Sequence, residues 1–185
     1  MPTSQDLQNA LARVHEMVGR NVFAFQRLEH LLKHILTCSS VSFVEGTVAE
    51  AFSQREKKTK IKTLGTLNKD LFESTILPVQ EEEVEEINFL EKEGVSFRMT
   101  YHMPEEDHQI WKARFDALVL DRNDVVHTSL QKWDLGTIDG CAFVVSQLNE
   151  QYEKILLETE EASRLSEEIF KTIGLFRAKL TAPDG

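Results

Sequence analysis

Three side chains suited to chemistry on an anion stand close together in this 185-residue chain: Arg122, Asn123 and His127. Arginine is a permanent cation that binds oxyanions through paired hydrogen bonds, whereas histidine takes up and releases protons near neutral pH. The asparagine amide both donates and accepts hydrogen bonds, so it can orient an oxyanion or hold the imidazole in one tautomer. Together these residue types favour acid–base chemistry on an anionic substrate.

These residues lie on an amphipathic helix that the periodicity predicts from about His108 to Lys132. On a helical wheel of about 100° per residue, Arg122 lies inside an arc of apolar side chains. That arc consists of Trp111, Phe115, Leu118, Val119, Val125, Val126 and Leu130. Because a buried guanidinium without a partner is very costly, we expect Arg122 near a carboxylate, a cavity or an interface that meets an anion.

Two carboxylates are candidates to support this group. Asp116 falls with Asn123 and His127 on a polar strip beside the apolar arc, and Glu29 flanks the apolar stripe of the first helix. Glu29 is the candidate ion-pair partner of Arg122. The residues leave a structural alternative open, in which Arg122 pairs with a carboxylate inside the bundle and His127 is an ordinary hydrogen-bonded neighbour.

The string from Arg122 to His127 reads R-N-x-x-x-H and resembles the signature of the HEPN superfamily (higher eukaryote and prokaryote nucleotide-binding domains). The segment Phe25–Lys33 also resembles the first helix of several such families, while residues 5–160 otherwise match in helical character and helix order. The resemblance implies a small all-α domain with the motif on a late helix. It also implies, as in many members, a metal-independent endoribonuclease that needs no cofactor.

The chemistry of the three residues fits that implication. In RNA cleavage without metal, the 2′-hydroxyl attacks the adjacent phosphate, a histidine transfers a proton, and an arginine stabilises the added negative charge. Asn123 would orient a phosphate oxygen or hold His127. The resemblance further implies a homodimer in which two motif helices form one composite cleft. A toxin or phage-defence role would bring a protein antitoxin or regulator as partner.

Two other functions remain open. One is a non-catalytic HEPN-like helical dimer used for nucleotide sensing, scaffolding or protein interaction. Toxin-type members often carry H-x-Y, and position 129 here is Ser, so any role of that tyrosine is absent or filled differently. The other is a coiled-coil adaptor that acts through its C-terminal heptads and leaves the motif incidental.

The charge distribution singles out one further segment. The chain has 21 basic and 31 acidic residues, a net charge of −10, which disfavours a surface that attracts nucleic acid non-specifically. Its one strongly basic run is therefore a candidate RNA-contacting surface, although such runs are commonly solvated faces. The residues are Arg55, Lys57, Lys58, Lys60 and Lys62.

The composition predicts an all-α, up-and-down helical bundle formed by residues 1–185 as a single domain. Only 8 glycines and 4 prolines interrupt the chain, which favours long helices over a turn-rich sandwich or barrel. In the first half of the chain, the predicted elements are a helix over 5–36, a short helix over 44–52, and a turn at 63–67 before a helix through Phe72. An acidic helix over 80–92 and an extended excursion over 94–104 follow. The motif helix and a heptad-bearing helix over 138–180 complete the chain. Thr159 and Ser166 weaken the middle of the last pattern, which suggests a break there and leaves open whether this helix is continuous or broken near 159–166.

Other classes of protein are disfavoured. The apolar runs are far shorter than the roughly 20 residues of a membrane span, and no charged-then-apolar leader opens the chain, so we expect a cytoplasmic protein. Cys38 and Cys141 form no disulfide framework or CxxC pair and are expected to be buried thiols. Neither the His30/His34 pair nor the His102/His108 pair has an obvious third ligand, so no metal site is predicted.

Overall fold

The computed structural model describes residues 3–43, 48–79, 95–127 and 129–181, and these form an all-α fold, as predicted. The helices are α1 Ser4–Cys38, α2 Val48–Lys60, α3 Leu64–Ser74, α4 Glu105–His127, α5 Ser129–Lys132 and α6 Ile138–Thr181. The short strands are β1 Ser40–Phe43, β2 Ile76–Pro78, β3 Val95–Arg98 and β4 Tyr101–Met103. Among these described helices none is both long and apolar enough to cross a bilayer.

The long helices begin at residues whose side chains satisfy free backbone amides. At the start of α1, the Asp6 amide donates to Thr3 Oγ1 at 3.2 Å and the Thr3 amide donates to Asp6 Oδ2 at 2.7 Å. At the start of α6, the Gly140 amide donates to Thr137 Oγ1 at 3.0 Å. Such reciprocal and N-cap bonds replace the intrahelical acceptors that the first turn lacks.

The C-terminal helix α6 is continuous over 44 residues, without the break that Thr159 and Ser166 suggested. Both residues are buried within the helix's inner face. Thr159 Oγ1 donates to the Ile155 carbonyl at 2.7 Å, so its hydroxyl is satisfied by its own helix. A small hydroxyl residue with such a bond can occupy a buried heptad position without interrupting the helix.

Three predicted helix boundaries differ from the structure. The short helix expected at 44–52 corresponds to α2, which continues through the basic run to Lys60, while residues 44–47 lie outside the described residues. The expected turn at 63–67 is the first turn of α3, because Thr63 is its N-cap and accepts from the Thr66 amide. The motif helix ends at His127, and α5 follows it.

The extended excursion is confirmed over its described part and pairs with two strands that the sequence did not predict. β3 runs antiparallel to β1, with Ser40 opposite Arg98, and β4 runs parallel to β2, with Ile76 opposite Tyr101. Each of these described sheets has two strands. The predicted acidic helix over 80–92 lies outside the described residues.

The contacts group the chain into two compact units. Unit 1 comprises 1–28 and 115–161, and unit 2 comprises 29–114 and 162–185. Unit 1 has a core of Val14, Met17, Cys141, Val144 and Leu148. In unit 2, the Trp111 and Phe72 rings meet edge to face with centroids 5.8 Å apart.

The apolar spacing predicts that Leu28, Leu32, Trp111, Phe115, Leu118 and Val125 are largely buried, and the structure agrees with one exception. Val125 is half-buried rather than buried and packs at the edge of the unit 1 core. The confirmed positions are Leu28, Leu32, Trp111, Phe115 and Leu118. Both cysteines are also buried free thiols.

Candidate functional site

The motif residues occupy the last two turns of α4, in unit 1. Asn123 and His127 are exposed, and Arg122 is half-buried. Arg122 Nη1 donates to Asn123 Oδ1 at 3.2 Å, so the guanidinium and the amide lie side by side. The structure therefore brings together adjacent cationic and amide groups, with an imidazole one turn further along the same helix.

Arg122 is less buried than its position on the helical wheel suggested. The fully buried residues of α4, such as Phe115 and Leu118, come from earlier turns. Arg122 continues their face at the end of the helix, where Val126 is 46% exposed. Because water reaches this turn, the guanidinium has no need of a buried carboxylate.

The predicted polar strip is exposed, but it contains a leucine. Asp116, Asn123 and His127 are all exposed on α4. Leu120 lies between them at helical spacing and is 70% exposed. Leu120 therefore adds exposed apolar area to this polar strip.

A buried asparagine and a half-buried glutamine connect the core to the turn that carries the motif. Asn21 on α1 is fully buried, and its Nδ2 donates to the Leu148 carbonyl and to Gln151 Oε1, each at 2.8 Å. Gln151 Nε2 in turn donates to the Asp121 carbonyl at 3.4 Å. We refer to Asn21, Gln151 and the Asp121 carbonyl as the amide tie. It links three helices of unit 1 at the residue preceding Arg122.

A cation extends the amide tie. Arg20 Nε donates to Asn21 Oδ1 at 3.3 Å, and its Nη2 donates to the Leu148 carbonyl at 3.2 Å. The Arg20 guanidinium also lies 3.9 Å from the centroid of the Tyr152 ring. The buried Asn21 amide therefore has donors and acceptors on every side, as a polar group in a core requires. Asn21 falls inside the apolar stripe of the first helix, a position that predicts a core amide, whereas nothing in the sequence singles out Gln151.

Electrostatic contacts act on both sides of the motif turn. Burial raises the pKa of the Asp121 carboxyl, Lys154 lowers it and Asp124 raises it. Lys132 on α5 forms an ion pair with Asp124, which ties the segment after the motif back to α4. Val125 packs against the unit 1 core. The turn that presents Arg122 is thus held from its inner side and from α5.

The remaining candidates have contacts of their own. Glu29 Oε1 accepts from Lys33 Nζ at 2.7 Å on the same helix, so support of Arg122 by Glu29 stays a prediction. His108 Nε2 lies 3.2 Å from the Ile76 carbonyl, and the His34 ring stacks against Phe170 with centroids 4.9 Å apart. Within the described part of the chain, no three His, Cys, Asp or Glu side chains gather around a common point.

The residues of the basic run fall into two groups, those that line a pocket and those that do not. Lys57 and Lys60 are exposed. Arg55, Lys58 and Lys62 line a pocket of about 300 Å³ in unit 2, together with Arg98 from β3. Of these four, Lys58 and Arg98 are exposed, and Arg55 and Lys62 are half-buried. Sequence reasoning missed Arg98, since it stands far along the chain from the run and joins it only through the β1–β3 pairing.

Comparisons with known proteins assign no family to this chain. No protein-family model, curated protein or solved structure matches it. The HEPN resemblance therefore depends on Arg122, Asn123, His127 and the helical character of the chain. Its function has to be inferred from its own side chains.

Proposed function

We propose that this chain is a metal-independent endoribonuclease of HEPN type, with Arg122, Asn123 and His127 as its catalytic residues. The observation that carries the proposal is the common presentation of these three side chains at the end of α4, with Asn123 and His127 open to solvent. The amide tie supports it, because hydrogen bonds that join α1, α6 and α4 beside Arg122 help to pre-organise this turn, as catalysis needs.

The proposed reaction is an internal transfer within the RNA. The 2′-hydroxyl loses its proton to an imidazole, the new 2′-oxygen–phosphorus bond forms, and the bond to the 5′-oxygen breaks as that oxygen takes up a proton. Arg122 neutralises the extra charge on the phosphorane oxygens, and Asn123 orients one of them. The products are a 2′,3′-cyclic phosphate and a 5′-hydroxyl.

A homodimer completes this scheme. Two proton transfers are needed, and a two-fold axis near His127 would bring two imidazoles to one cleft. The exposed apolar side chains of Leu120 and Val126 beside the motif support an interface at this place. In a toxin or phage-defence role, a protein antitoxin or regulator would cover the same surface.

RNA would be held in part by the exposed lysines of α2. Lys57 and Lys60 point their charges into solvent, where they can neutralise phosphates of a bound strand. Replacing either by alanine is expected to weaken RNA affinity and to flatten its salt dependence without changing the chemical step.

The second candidate is a non-catalytic HEPN-like dimer that senses nucleotides, scaffolds or binds a partner. Ser129 in place of the H-x-Y tyrosine and the net charge of −10 favour it. Growth of cells that express the protein separates the two. A ribonuclease toxin arrests growth and His127→Ala relieves the arrest, whereas an interaction module leaves growth unaffected by that substitution.

The direct test is incubation of the purified protein with mixed RNA in the presence of EDTA. We expect cleavage to persist and to leave 2′,3′-cyclic phosphate or 3′-phosphate ends, because the attacking hydroxyl belongs to the substrate. DNA lacks that hydroxyl and should remain intact. RNA left uncut by the wild-type protein would contradict the enzymatic proposal in favour of the non-catalytic dimer.

A further inference from the structure

A cationic pocket in unit 2 is a second candidate site, independent of the α4 motif. It has a volume of about 300 Å³, at the lower end of the range for small-molecule sites. Its charged lining residues are Arg55, Lys58, Lys62, Arg98 and Asp70. We refer to it as the basic pocket.

The basic pocket is positive in a protein that is otherwise acidic. Among its described lining residues, four cations stand against one carboxylate, and Asp70 already forms an ion pair with Lys62. The whole chain has a net charge of −10. A local excess of positive charge with low-dielectric walls concentrates anions from solution.

The four cations converge from different parts of the fold. Arg55 and Lys58 lie one turn apart on α2, and Lys62 follows the end of that helix. Arg98 closes β3 opposite Ser40 on β1, and Ser40 also lines the pocket. Since like charges repel, such a convergence is costly unless a bound anion offsets it.

Arg55, one of the two arginines that line the basic pocket, is held in place by a hydrogen bond. Arg55 Nε donates to the Leu36 carbonyl at 2.8 Å, which fixes the orientation of the guanidinium. Burial lowers the pKa of Arg55, Arg98 lowers it further, and Asp70 raises it. A fixed guanidinium beside a like charge is the arrangement that a multiply charged oxyanion stabilises most.

The described lining contains no aromatic side chain on which a base could stack. Two guanidiniums and two ammoniums instead match an anion of several charges and many oxygens. We propose that the basic pocket binds a di- or triphosphate group, the chemistry shared by inorganic pyrophosphate and the nucleoside di- and triphosphates. This assignment does not rest on the ribonuclease proposal, because the motif residues belong to unit 1 and the pocket residues to unit 2.

Calorimetric titration of the full chain tests this assignment, with inorganic pyrophosphate as the probe in a low-salt buffer without magnesium. We expect saturable binding of one pyrophosphate per chain and weaker binding of orthophosphate. Lys58→Ala combined with Arg98→Ala should weaken pyrophosphate binding at least about tenfold, since each substitution removes a charge-assisted contact. The matched control, Lys69→Ala with Lys112→Ala, removes the same charge from exposed positions of α3 and α4 outside the pocket and should change affinity less than about twofold.

A substitution that should increase pyrophosphate affinity shows that the loss in the double variant is not a loss of folding. Asp70→Asn removes the carboxylate and frees Lys62, so it should tighten pyrophosphate binding. A titration with ADP then identifies the source of the group: affinity equal to that for pyrophosphate means that the phosphates alone are recognised, and higher affinity means that a nucleoside adds contacts.

Three results would overturn the assignment. The first is the absence of saturable pyrophosphate binding, and the second is an equal loss of pyrophosphate affinity in the control double variant. The third is RNA binding that depends on Lys58 and Arg98 and from which pyrophosphate does not displace the RNA. The last result would make the pocket part of an RNA track. None of them bears on cleavage of RNA by the α4 motif, which has its own substrate and readout.

Discussion

The amide of Asn21 shows how one side chain can serve both stability and site geometry. It is fully buried, and its two donor hydrogens bind acceptors on α6. Through Gln151 the same network reaches the carbonyl of Asp121, next to Arg122. A change at Asn21 should therefore affect the free energy of unfolding and the motif turn together.

We expect Asn21→Ala to lower the free energy of unfolding by about 1–3 kcal/mol, because it removes the buried hydrogen bond to the Leu148 carbonyl and the bond to the half-buried Gln151 Oε1. The measurement is urea denaturation followed by circular dichroism. Asn9→Ala, on the exposed face of the same helix, is the control and should cost less than about 0.5 kcal/mol. Equal losses in the two variants would show that the amide tie is not a stabilising network.

The Asp121 carboxyl predicts a pH dependence of stability. Burial raises its pKa above the ordinary 3.8, so folding favours its protonated form. Its favourable contribution is present below the unfolded-state pKa and is lost as the pH rises through the higher folded-state value. At pH 7 the buried charge is therefore a cost.

Asp121→Asn removes that ionisation, and we expect it to raise the urea midpoint at pH 7. The gain should shrink as the pH falls toward 3.8, where the wild-type carboxyl also becomes neutral. Urea titrations of both proteins across this pH range provide the measurement. A variant that is equally or less stable at pH 7 would mean that the charge of Asp121 is well accommodated.

At the scale of the elements, the entry to α6 depends on a glycine. A Cβ placed on Gly140 would lie 2.0 Å from the Asp134 carbonyl oxygen and 2.8 Å from Thr137 Oγ1. The Asp134 oxygen belongs to the backbone, so it cannot swing away as a flexible side chain would. The N-terminal turn of α6 therefore requires a residue without a side chain at this position.

We expect Gly140→Ala to destabilise the protein by roughly 1–3 kcal/mol through this steric overlap. The matched control is Gly19→Ala in α1, where the added methyl group meets nothing within 4 Å. That variant should gain about 0.5–1 kcal/mol, since alanine loses less backbone entropy in a helix. Thermal denaturation compares them, and a stabilising Gly140→Ala would contradict the proposed packing at the start of α6.

The elements also show what the sequence can and cannot reveal. Helices α1, α4 and α6 follow from long runs of apolar residues at helical spacing, a pattern that local sequence carries by itself. The strands β1 and β2 have only a few residues each and form through partners far along the chain, so no local pattern announces them. Arg98 joins the residues of the basic run only through the β1–β3 pairing, so the sequence did not predict it as part of the same pocket.

At the scale of the whole molecule, the proposed dimer makes a prediction about mass in solution. We expect light scattering to report twice the chain mass of 21.2 kDa at tens of micromolar protein. Leu120→Asp should shift the protein toward monomer, because it places a charge in the proposed interface. Ile110→Asp, at an exposed position on the unit 2 part of α4, is the control and should remain dimeric. A monomeric wild-type protein would contradict the composite cleft.

The site was predictable to the same degree as the helices. The residues Arg122, Asn123 and His127 form a short local string on a strongly periodic helix, so their shared position could be predicted. The burial of Arg122 could not be predicted, because a helical wheel shows the direction of a side chain around the helix axis but not where along the helix the core ends. The amide tie depends on Gln151, and its hydrogen bond with Asn21 joins residues that are 130 positions apart in the sequence. No local pattern predicts such a pair.

The ribonuclease proposal requires that His127 transfer a proton during RNA cleavage, and single-turnover cleavage rates measure the effect of losing that transfer. His127→Ala should cleave about 10²- to 10⁴-fold more slowly than the wild-type protein, the usual contribution of a general acid or base. His15→Ala, an exposed histidine on α1, should retain the wild-type rate. If His127→Ala instead cleaves RNA as fast as the wild-type protein, the motif is structural and the ribonuclease proposal fails.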